Sequence, residues 1–425
     1  MIDLLQLSIP FKSEHVIETR SADGQGGYYI NLEEIARRTG LTLKANQVQF
    51  EIRGDLQVTG LSHPYESLPS HFSSLAMKIH QGTNLAPPRV ELKASPAKLL
   101  QGHNVFGSTN VALCAEALFT PFCMAMPLLA DLLDFEETYI AKIDCTFSAR
   151  VKTLTQTQQV IDLLRNVSNG QTKLTKNTRS QYYDSTMYYN GMSNWLRRKI
   201  YLKYRELLAD LERCKNELRY KPNDECLKRR IEILSNPDLI EWAKLLVRFE
   251  VSLFPRKLTD LKIPYKLFNL ISYQIEYEKD GRNLIYDMWC AGFNELFESF
   301  KGTVMNIYDD ENILDLLKST YYSVTPKGNI SYSKAQRIFG FYRRLVNEGY
   351  DEVQKTFNRA SFYRCVNELI AIGISKAQLQ NLQAEKSNNV IPLVQLIQVD
   401  FSNQYPDWYV EPVVHYDNVV HLKAS

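Results

Sequence analysis

Arg197-Arg-Lys-Ile-Tyr-Leu-Lys-Tyr204 sets a phenol between two ammonium groups at alternate positions. Read as a strand, it puts Lys199, Tyr201 and Lys203 on one face and Ile200, Leu202 and Tyr204 on the other. Flanking cations favour the ionised phenol, which is how a nucleophilic tyrosine is activated. Tyrosine suits reversible attack on a phosphodiester. A phenolate leaves more easily than an alkoxide, so a phosphotyrosyl bond can be handed to a later hydroxyl without ATP. The bland alternative is a strand whose tyrosine hydroxyls merely reach solvent, and these eight residues do not separate the two.

Carboxylates recur with the same alternation. In Ile143-Asp-Cys-Thr-Phe-Ser148, Asp144, Thr146 and Ser148 face one way, while in Arg248-Phe-Glu-Val251 Arg248 and Glu250 oppose Phe249 and Val251. Glu91 and Lys93 repeat the pattern. Carboxylates converging from adjacent strands can hold a hard divalent cation such as Mg²⁺ against a phosphate oxygen. They can equally be the wet face of a half-buried sheet. His103, in Gln101-Gly-His-Asn-Val-Phe-Gly107, is either a ligand or a hydrogen bonder that fixes its loop.

Other chemistries lack their motifs. There is no G-x-x-x-x-G-K-[ST], no dinucleotide fingerprint after Gly24-Gln-Gly-Gly27, no G-x-S-x-G and no H-E-x-x-H. ATPase, dehydrogenase, serine hydrolase and zincin readings weaken together. Charge points elsewhere. The chain has 50 Lys/Arg against 48 Asp/Glu, yet residues 171–230 carry 15 against 7, so +8 there is offset by −6 in the remainder. Tyr182, Tyr183, Tyr188, Tyr189, Trp195, Tyr201 and Tyr204 interleave with those bases. Cations grip phosphates and aromatics stack on unpaired bases, so the mixture suits single-stranded or locally melted DNA, with Arg197, Arg198 and Lys199 as contacts. Beyond Arg205 the same charges read as the solvated face of a helix.

The elements that position these residues follow from periodicity. At 425 residues the chain is long enough for about two or three domains. Asn31-Leu-Glu-Glu34 caps a short helix ending at Gly40. From Val48 to Ala94 alternation takes over in Gln49–Arg53, Leu56–Thr59, Ser74–Ile79 and Arg89–Lys93, with turns between, which predicts an antiparallel sheet. Val111–Phe135 is apolar but broken by Glu116, Pro121, Pro127 and Asp131. It falls short of the roughly 20 residues of a membrane span and reads as a buried helix over the sheet. Further strands are expected at Ala141–Ser148, Lys199–Tyr204 and Val247–Leu253, with helices at Arg205–Tyr220 and 237–246; Asn169–Gln181 reads as an exposed polar loop. Seven cysteines without a C-x-x-C pair and a start without a basic leader fit a reducing, intracellular setting and no membrane partner.

The fold class expected is α+β: an antiparallel-sheet domain with flanking helices over 1–300, then a mainly helical domain over 301–425. In the latter, Gly349–Phe357 and Asn358–Ile372 form two helices joined by a tight turn. The second carries Arg359, Ser361, Tyr363 and Arg364 in its first turns, which suits a helix-turn-helix reader of duplex DNA as well as an ordinary helical hairpin.

Longer blocks carry more information than any of these short motifs. Gly60-Leu-Ser-His-Pro64, Lys93-Ala-Ser-Pro-Ala97, Gln101–Gly107, Arg165-Asn-Val-Ser-Asn-Gly-Gln-Thr172 and Val247-Arg-Phe-Glu250 are followed by Met305-Asn-Ile-Tyr-Asp-Asp310, Gly340–Tyr350 and Pro406-Asp-Trp-Tyr409. In that order, nearly end to end, the chain resembles the replication initiators (gene II proteins) of filamentous bacteriophages. The resemblance implies a nicking and joining endonuclease of rolling-circle DNA replication. It would cut the viral strand of supercoiled double-stranded DNA at the origin through a 5′-phosphotyrosine bond, leave a 3′ hydroxyl primer, and rejoin the displaced strand into single-stranded circles. The family's Tyr-x-Lys block falls on Tyr201-Leu202-Lys203, making Tyr201 the nucleophile and Lys203 its helper. The same resemblance implies the host bacterial cytoplasm, host helicase and polymerase as partners, room for self-association on DNA, and a shorter C-terminal product, like the gene X product, from Met305.

One departure stands out. Many rolling-circle nickases carry a His-hydrophobic-His metal motif, and no two of the seven histidines here lie two apart. A Mg²⁺ site must then be built differently, and Asp144, Glu250 and His103 are the candidates. Two rival readings remain: a non-catalytic origin-binding regulator, and a tyrosine recombinase, which the sparse histidines disfavour.

Overall fold

The computed structural model describes residues 1–20, 26–50, 56–84, 86–165, 167, 185–299, 310–326, 328–387 and 401–414. Its centre is an eight-stranded sheet. The strands are β1 (Ile2–Pro10), β2 (Glu66–Pro69), β3 (Ser74–His80), β4 (Arg89–Ala94), β5 (Tyr139–Arg150), β6 (Thr186–Tyr189), β7 (Leu196–Leu202) and β8 (Leu246–Leu253). In space they run β6-β7-β8-β5-β1-β4-β3-β2, each pair antiparallel.

Alternation decides which way each residue points. Leu5, Leu7 and Ile9 of β1 line up with Leu92 and Val90 of β4 and with Ile143 and Ile140 of β5. Phe147, Phe249 and Ile200 form another apolar row across β5, β8 and β7. This face packs on α1 (Val111–Ala125), α5 (Leu267–Glu278) and α6 (Leu284–Glu298) in one buried core. Each Leu, Ile or Phe buried there contributes about 1.5–3 kcal/mol. A slip by one residue would turn all of them to water, so the apolar face fixes the register and the opposite face inherits it. Gly292 lets α6 lie flat on the sheet, since a Cβ there would meet Val251 Cγ2 at 2.5 Å.

The opposite face is polar, and at one end it is roofed by α2 (Lys203–Tyr220), α3 (Glu225–Leu234) and α4 (Pro237–Lys244). These helices share a smaller core with Val105 and Phe106, against which Tyr405 and Tyr409 pack. A third core joins α7 (Asp310–Thr320), α8 (Ser333–Glu348), α9 (Tyr350–Thr356), α10 (Arg359–Ile370) and α11 (Lys376–Ser387). Residues 401–414 then return to the sheet, where Phe401 meets Phe249 of β8 at 5.3 Å and Trp289 of α6 at 4.9 Å. No helix among the described residues is long and apolar enough to cross a membrane.

The expected α+β architecture, sheet first and helices after, is what the structure has. Asn31 caps Leu32–Thr39 by accepting from Glu34 N–H at 3.1 Å, and Gly40 ends the helix at φ 73°. One local reading needs correction, and two strands have no reading from sequence. Lys44–Phe50 and Leu56–Ser62 pair with each other as a separate hairpin rather than joining the large sheet. Thr186–Tyr189, assigned to no element from its sequence, is the sheet's edge strand. Ile2–Pro10, not singled out by its pattern, sits near the middle of the sheet. The Asn169–Gln181 loop, Met305, Tyr182 and Tyr183 lie outside the described residues.

Candidate active site

Antiparallel pairing brings the sequence candidates into rows across the polar face. Tyr201 of β7 pairs with Arg248 of β8, and Arg248 with Ser148 of β5. One step along, Lys199, Glu250 and Thr146 form the next row, and Ser252 pairs with Asp144. Asp144 and Glu250 are therefore diagonal neighbours on one face, within reach of one another. The face continues through Lys142, Gln6 and Lys93, then through Ser8, Glu91 and Lys78.

Tyr201 is buried beneath this cluster. Burial holds its phenol well above the ordinary value, the Asp3 and Glu250 carboxylates push the same way, and Arg248 opposes them. The expectation that Lys199 and Lys203 ionise the phenol is therefore corrected. Lys199 stacks its Nζ 4.1 Å from the Tyr201 ring centroid, and Lys203 is not on the strand at all. Leu202 ends β7 with ψ 111°, and Lys203 opens α2. From there its buried Nζ donates to Asn104 Oδ1 at 2.7 Å and pairs with Glu206. Burial pulls Lys203 down to about 8 against the pull of Glu206. Glu206 itself stays ionised, because Lys203 and Lys98 outweigh its own burial.

Arg248 is the hub of the site. Its Nη1 donates to Asn104 O at 2.6 Å, its Nη2 to Val105 O, and its Nε to Ser148 Oγ at 3.3 Å. Asp3 Oδ1 lies 3.8 Å from Nη1 and accepts from Asn104 Nδ2 at 2.8 Å. The 103–107 loop is thus pinned over Tyr201 by a fully engaged guanidinium. Sequence reasoning missed Asp3, Asn104 and the anchoring role of Arg248. No pattern in the sequence marks the first, because the alternation of Leu5, Leu7 and Ile9 is interrupted by a register shift between Ile2 and Leu4.

The carboxylates are poised but incompletely satisfied. Burial raises Asp144, although Lys142 Nζ, 2.9 Å from Oδ2, works against it. Glu250 is pushed up to about 8 by burial, with Lys199 opposing and Asp3 and Asp144 reinforcing. Asp144 Oδ1, Thr146 Oγ1 and Glu250 Oε2 are buried without a hydrogen-bond partner among the described residues. Orphaned buried oxygens of this kind fit a hard cation. The third sequence candidate does not join them. His103 Nδ1 accepts from Val105 N–H at 3.2 Å, and burial with Lys203, Arg248 and Lys98 nearby lowers it to about 3. It fixes the loop. Among the described residues no three His, Cys, Asp or Glu side chains already converge on a point, so a cation here would rest on two carboxylates and a hydroxyl.

The DNA-contact candidates divide. Arg198 shares its strand face with Ile200, so it is buried on the helix side, where its Nε donates to Gly292 O at 2.5 Å and Nη2 lies 3.4 Å from Glu295. Its assignment as a phosphate contact is corrected. Arg197 stacks on Phe254 at 4.8 Å and donates to Ser193 O and Asn194 Oδ1, partly exposed. Lys93 and Lys78, further along the polar face, have no ion pair among the described residues. Lys78 lies 5.1 Å from the ring of Tyr65, which is exposed. In the helical region, Asn358 caps α10 by accepting from Ala360 N–H at 3.0 Å. Arg359 and Arg364 are exposed, Ser361 is half-buried, and Tyr363 accepts from Gln354 Nε2 at 3.0 Å. Phe362 fills the core beneath them, so the cations of this helix point outward from an ordinary apolar hairpin.

Comparison with known proteins places this architecture. Residues 1–280 match the family model for the N-terminal part of the phage replication-associated protein encoded by gene II, and residues 324–415 match the model for its C-terminal part. The chain is 50% identical to the replication-associated protein of Salmonella phage IKe over the whole of both chains. It is 48% identical to the replication-associated proteins of Enterobacteria phages fd and M13, over 97% of this chain and 99% of theirs. Matches of this length and identity leave no second assignment: the chain belongs to the gene II family of replication-associated proteins of filamentous phages.

Proposed function

We propose that the chain initiates phage DNA replication by nicking and rejoining one strand at the origin, with Tyr201 as nucleophile. The observation that carries this reading is the row that sets a buried phenol beside Arg248, next to carboxylate oxygens that have no hydrogen-bond partner among the described residues. Tyr201 Oη attacks the scissile phosphorus, the P–O3′ bond breaks, and the phenolic proton ends on the departing 3′ oxygen. The products are a 5′-phosphotyrosyl bond and a 3′ hydroxyl that host polymerase can extend. Joining is the reverse, with a later 3′ hydroxyl displacing the phenol. Arg248 offsets charge on the phosphate and pulls against the burial, and the Asp3 and Glu250 carboxylates, that keep the phenol neutral. Lys199 packs the ring and fixes its angle, and Lys203 ties the start of α2 to the Asn104 loop.

Asp144 and Glu250, with the Thr146 hydroxyl, are the groups that would hold Mg²⁺. The ion would polarise the phosphate and occupy the Oδ1, Oγ1 and Oε2 atoms that Lys142 and Lys199 leave without a hydrogen bond. The melted strand would run over the polar face along Arg197, Lys199, Lys142, Lys93 and Lys78, with Tyr65 offering a stacking surface. Residues from 310 onward would read duplex origin DNA through Arg359, Ser361, Tyr363 and Arg364 of α10. Host helicase and the bacterial cytoplasm complete the scheme through the family resemblance.

The second reading, a non-catalytic origin-binding regulator, draws on the same burial, because a neutral phenol is a poor nucleophile. Supercoiled origin plasmid separates the two. Wild-type protein should nick it with Mg²⁺ and form a covalent adduct, whereas Tyr201→Phe should bind the origin and do neither. Nicking by Tyr201→Phe at the wild-type rate would remove Tyr201 from the mechanism, and no nicking by wild type under any divalent cation would favour the regulator.

A further inference from the structure

The row that holds Tyr201 has a fourth member from the far end of the chain. Tyr201, Arg248 and Ser148 pair across β7, β8 and β5. On the other edge of β5, pairing with β1 ends at Cys145, and Met1 closes the pattern by exchanging bonds with Thr146 at 2.8 and 2.9 Å. Ser148 lies beyond that point and is buried, so its backbone N–H and C=O would stand without partners. Gln404 supplies both. Its Oε1 accepts from Ser148 N–H at 2.8 Å, and its Nε2 donates to Ser148 O at 2.8 Å and to Phe401 O at 2.7 Å. A single side-chain amide thus stands in for a missing strand.

The flanking residues grip both layers next to the site. Phe401 packs on Trp289 at 4.9 Å and Phe249 at 5.3 Å, within the core under the sheet. Tyr405 donates to Gly107 O at 3.1 Å, and Trp408 and Tyr409 meet Phe106 at 5.2 and 5.4 Å. Phe106 belongs to the loop whose Asn104 and Val105 carbonyls hold Arg248. Ser148 Oγ accepts from the same guanidinium. Segment 401–409 therefore reaches Arg248 by two routes, through the Ser148 backbone and through the 103–107 loop.

We infer that this segment is a working part of the nicking site, and that Gln404 is a positioning residue that sets Ser148, and through it Arg248, against Tyr201. The inference rests on the reading of Tyr201 as nucleophile. Misplacement of a site group by about 1 Å is enough to cost up to 10²-fold in rate. Gln404→Ala in the full chain should therefore slow single-turnover nicking of an origin oligonucleotide about tenfold. The half-saturating oligonucleotide concentration and the final amplitude of covalent adduct should stay within twofold of wild type. Gln404→Glu keeps the acceptor for Ser148 N–H but loses the donor, so its rate should fall between the two. A merely structural role would lower the adduct amplitude, the count of competent molecules, and leave the rate per competent molecule unchanged. That result, or a Gln404→Ala rate within twofold of wild type, overturns the inference. Wild-type protein run in parallel keeps the tests distinct: without a wild-type adduct the nucleophile reading fails, whereas a wild-type adduct with an unaffected Gln404 variant sinks only this proposal.

Discussion

The Tyr201 row and the α10 helix use charge in opposite ways. Around Tyr201 the cations are tied to fixed partners: Arg248 has carbonyls, a hydroxyl and a carboxylate, and Lys203 and Glu206 hold each other. On α10, Arg359 and Arg364 project into solvent from a helix whose inner face is Phe362, Val366 and Leu369. Buried charges are costly unless their partners are fixed, so the first region is rigid by necessity and depends on distant parts of the chain. Exposed cations cost little to keep and respond to salt and to phosphates. The first arrangement suits bond-making. The second suits reading a long polyanion.

Stability measurements should separate the two regions most widely. The largest effect should come from Arg248→Met, which leaves Asp3 and two loop carbonyls without their cation. A loss of about 3–5 kcal/mol in denaturant unfolding is expected, against no more than about 0.5 kcal/mol for Arg364→Ala. Equal losses would erase the distinction.

A titration comes next. Glu250 sits at about 8 in the fold against 4.5 as its ordinary value. Between those values the folded carboxyl holds a proton that the unfolded chain releases, so stability falls as pH rises through that window. In chelator-treated protein the fall should reach roughly a few kcal/mol, and Glu250→Gln should flatten it. An unchanged slope in the variant would assign the effect to other groups.

Smaller effects are expected in DNA binding. Arg359→Ala with Arg364→Ala should weaken origin duplex binding about 10- to 100-fold and lower the salt slope by about 2, leaving oligonucleotide cleavage intact. If binding and cleavage fall together, α10 is not a separate reader. Lys78→Gln and Lys93→Gln should each raise the half-saturating oligonucleotide concentration only a few-fold, reducing the salt slope by about 0.7 each. No change with either variant would move the single strand off this face.

Much of the sheet could be read from alternation, because period two assigns faces as soon as a strand is recognised. Tyr201, Asp144 and Glu250 fall on the polar face by that rule. Arg198 shows the rule neglected, since it shares parity with Ile200 and so belongs on the apolar side. Lys203 shows its limit, because alternation does not reveal that the strand stops at Leu202. For His103, residue type leaves open a metal ligand or a loop-fixing hydrogen bonder, and the structure surrounds it with cations and gives it the second role. Asp3 and Gln404 were beyond reach. Each meets the site through tertiary register, Asp3 across a strand bulge and Gln404 from 256 residues away along the chain.

Mapping the covalent bond bears on the nucleophile itself. Protein incubated with origin DNA and Mg²⁺ is digested, and the peptide that carries nucleotide is identified by mass spectrometry. The expected peptide contains Tyr201 with a 5′-phosphate attached to its phenol, and Tyr201→Phe gives none. Nucleotide on Tyr188, Tyr189 or Tyr204, or an adduct that persists in Tyr201→Phe, would contradict the assignment of Tyr201 as the nucleophile.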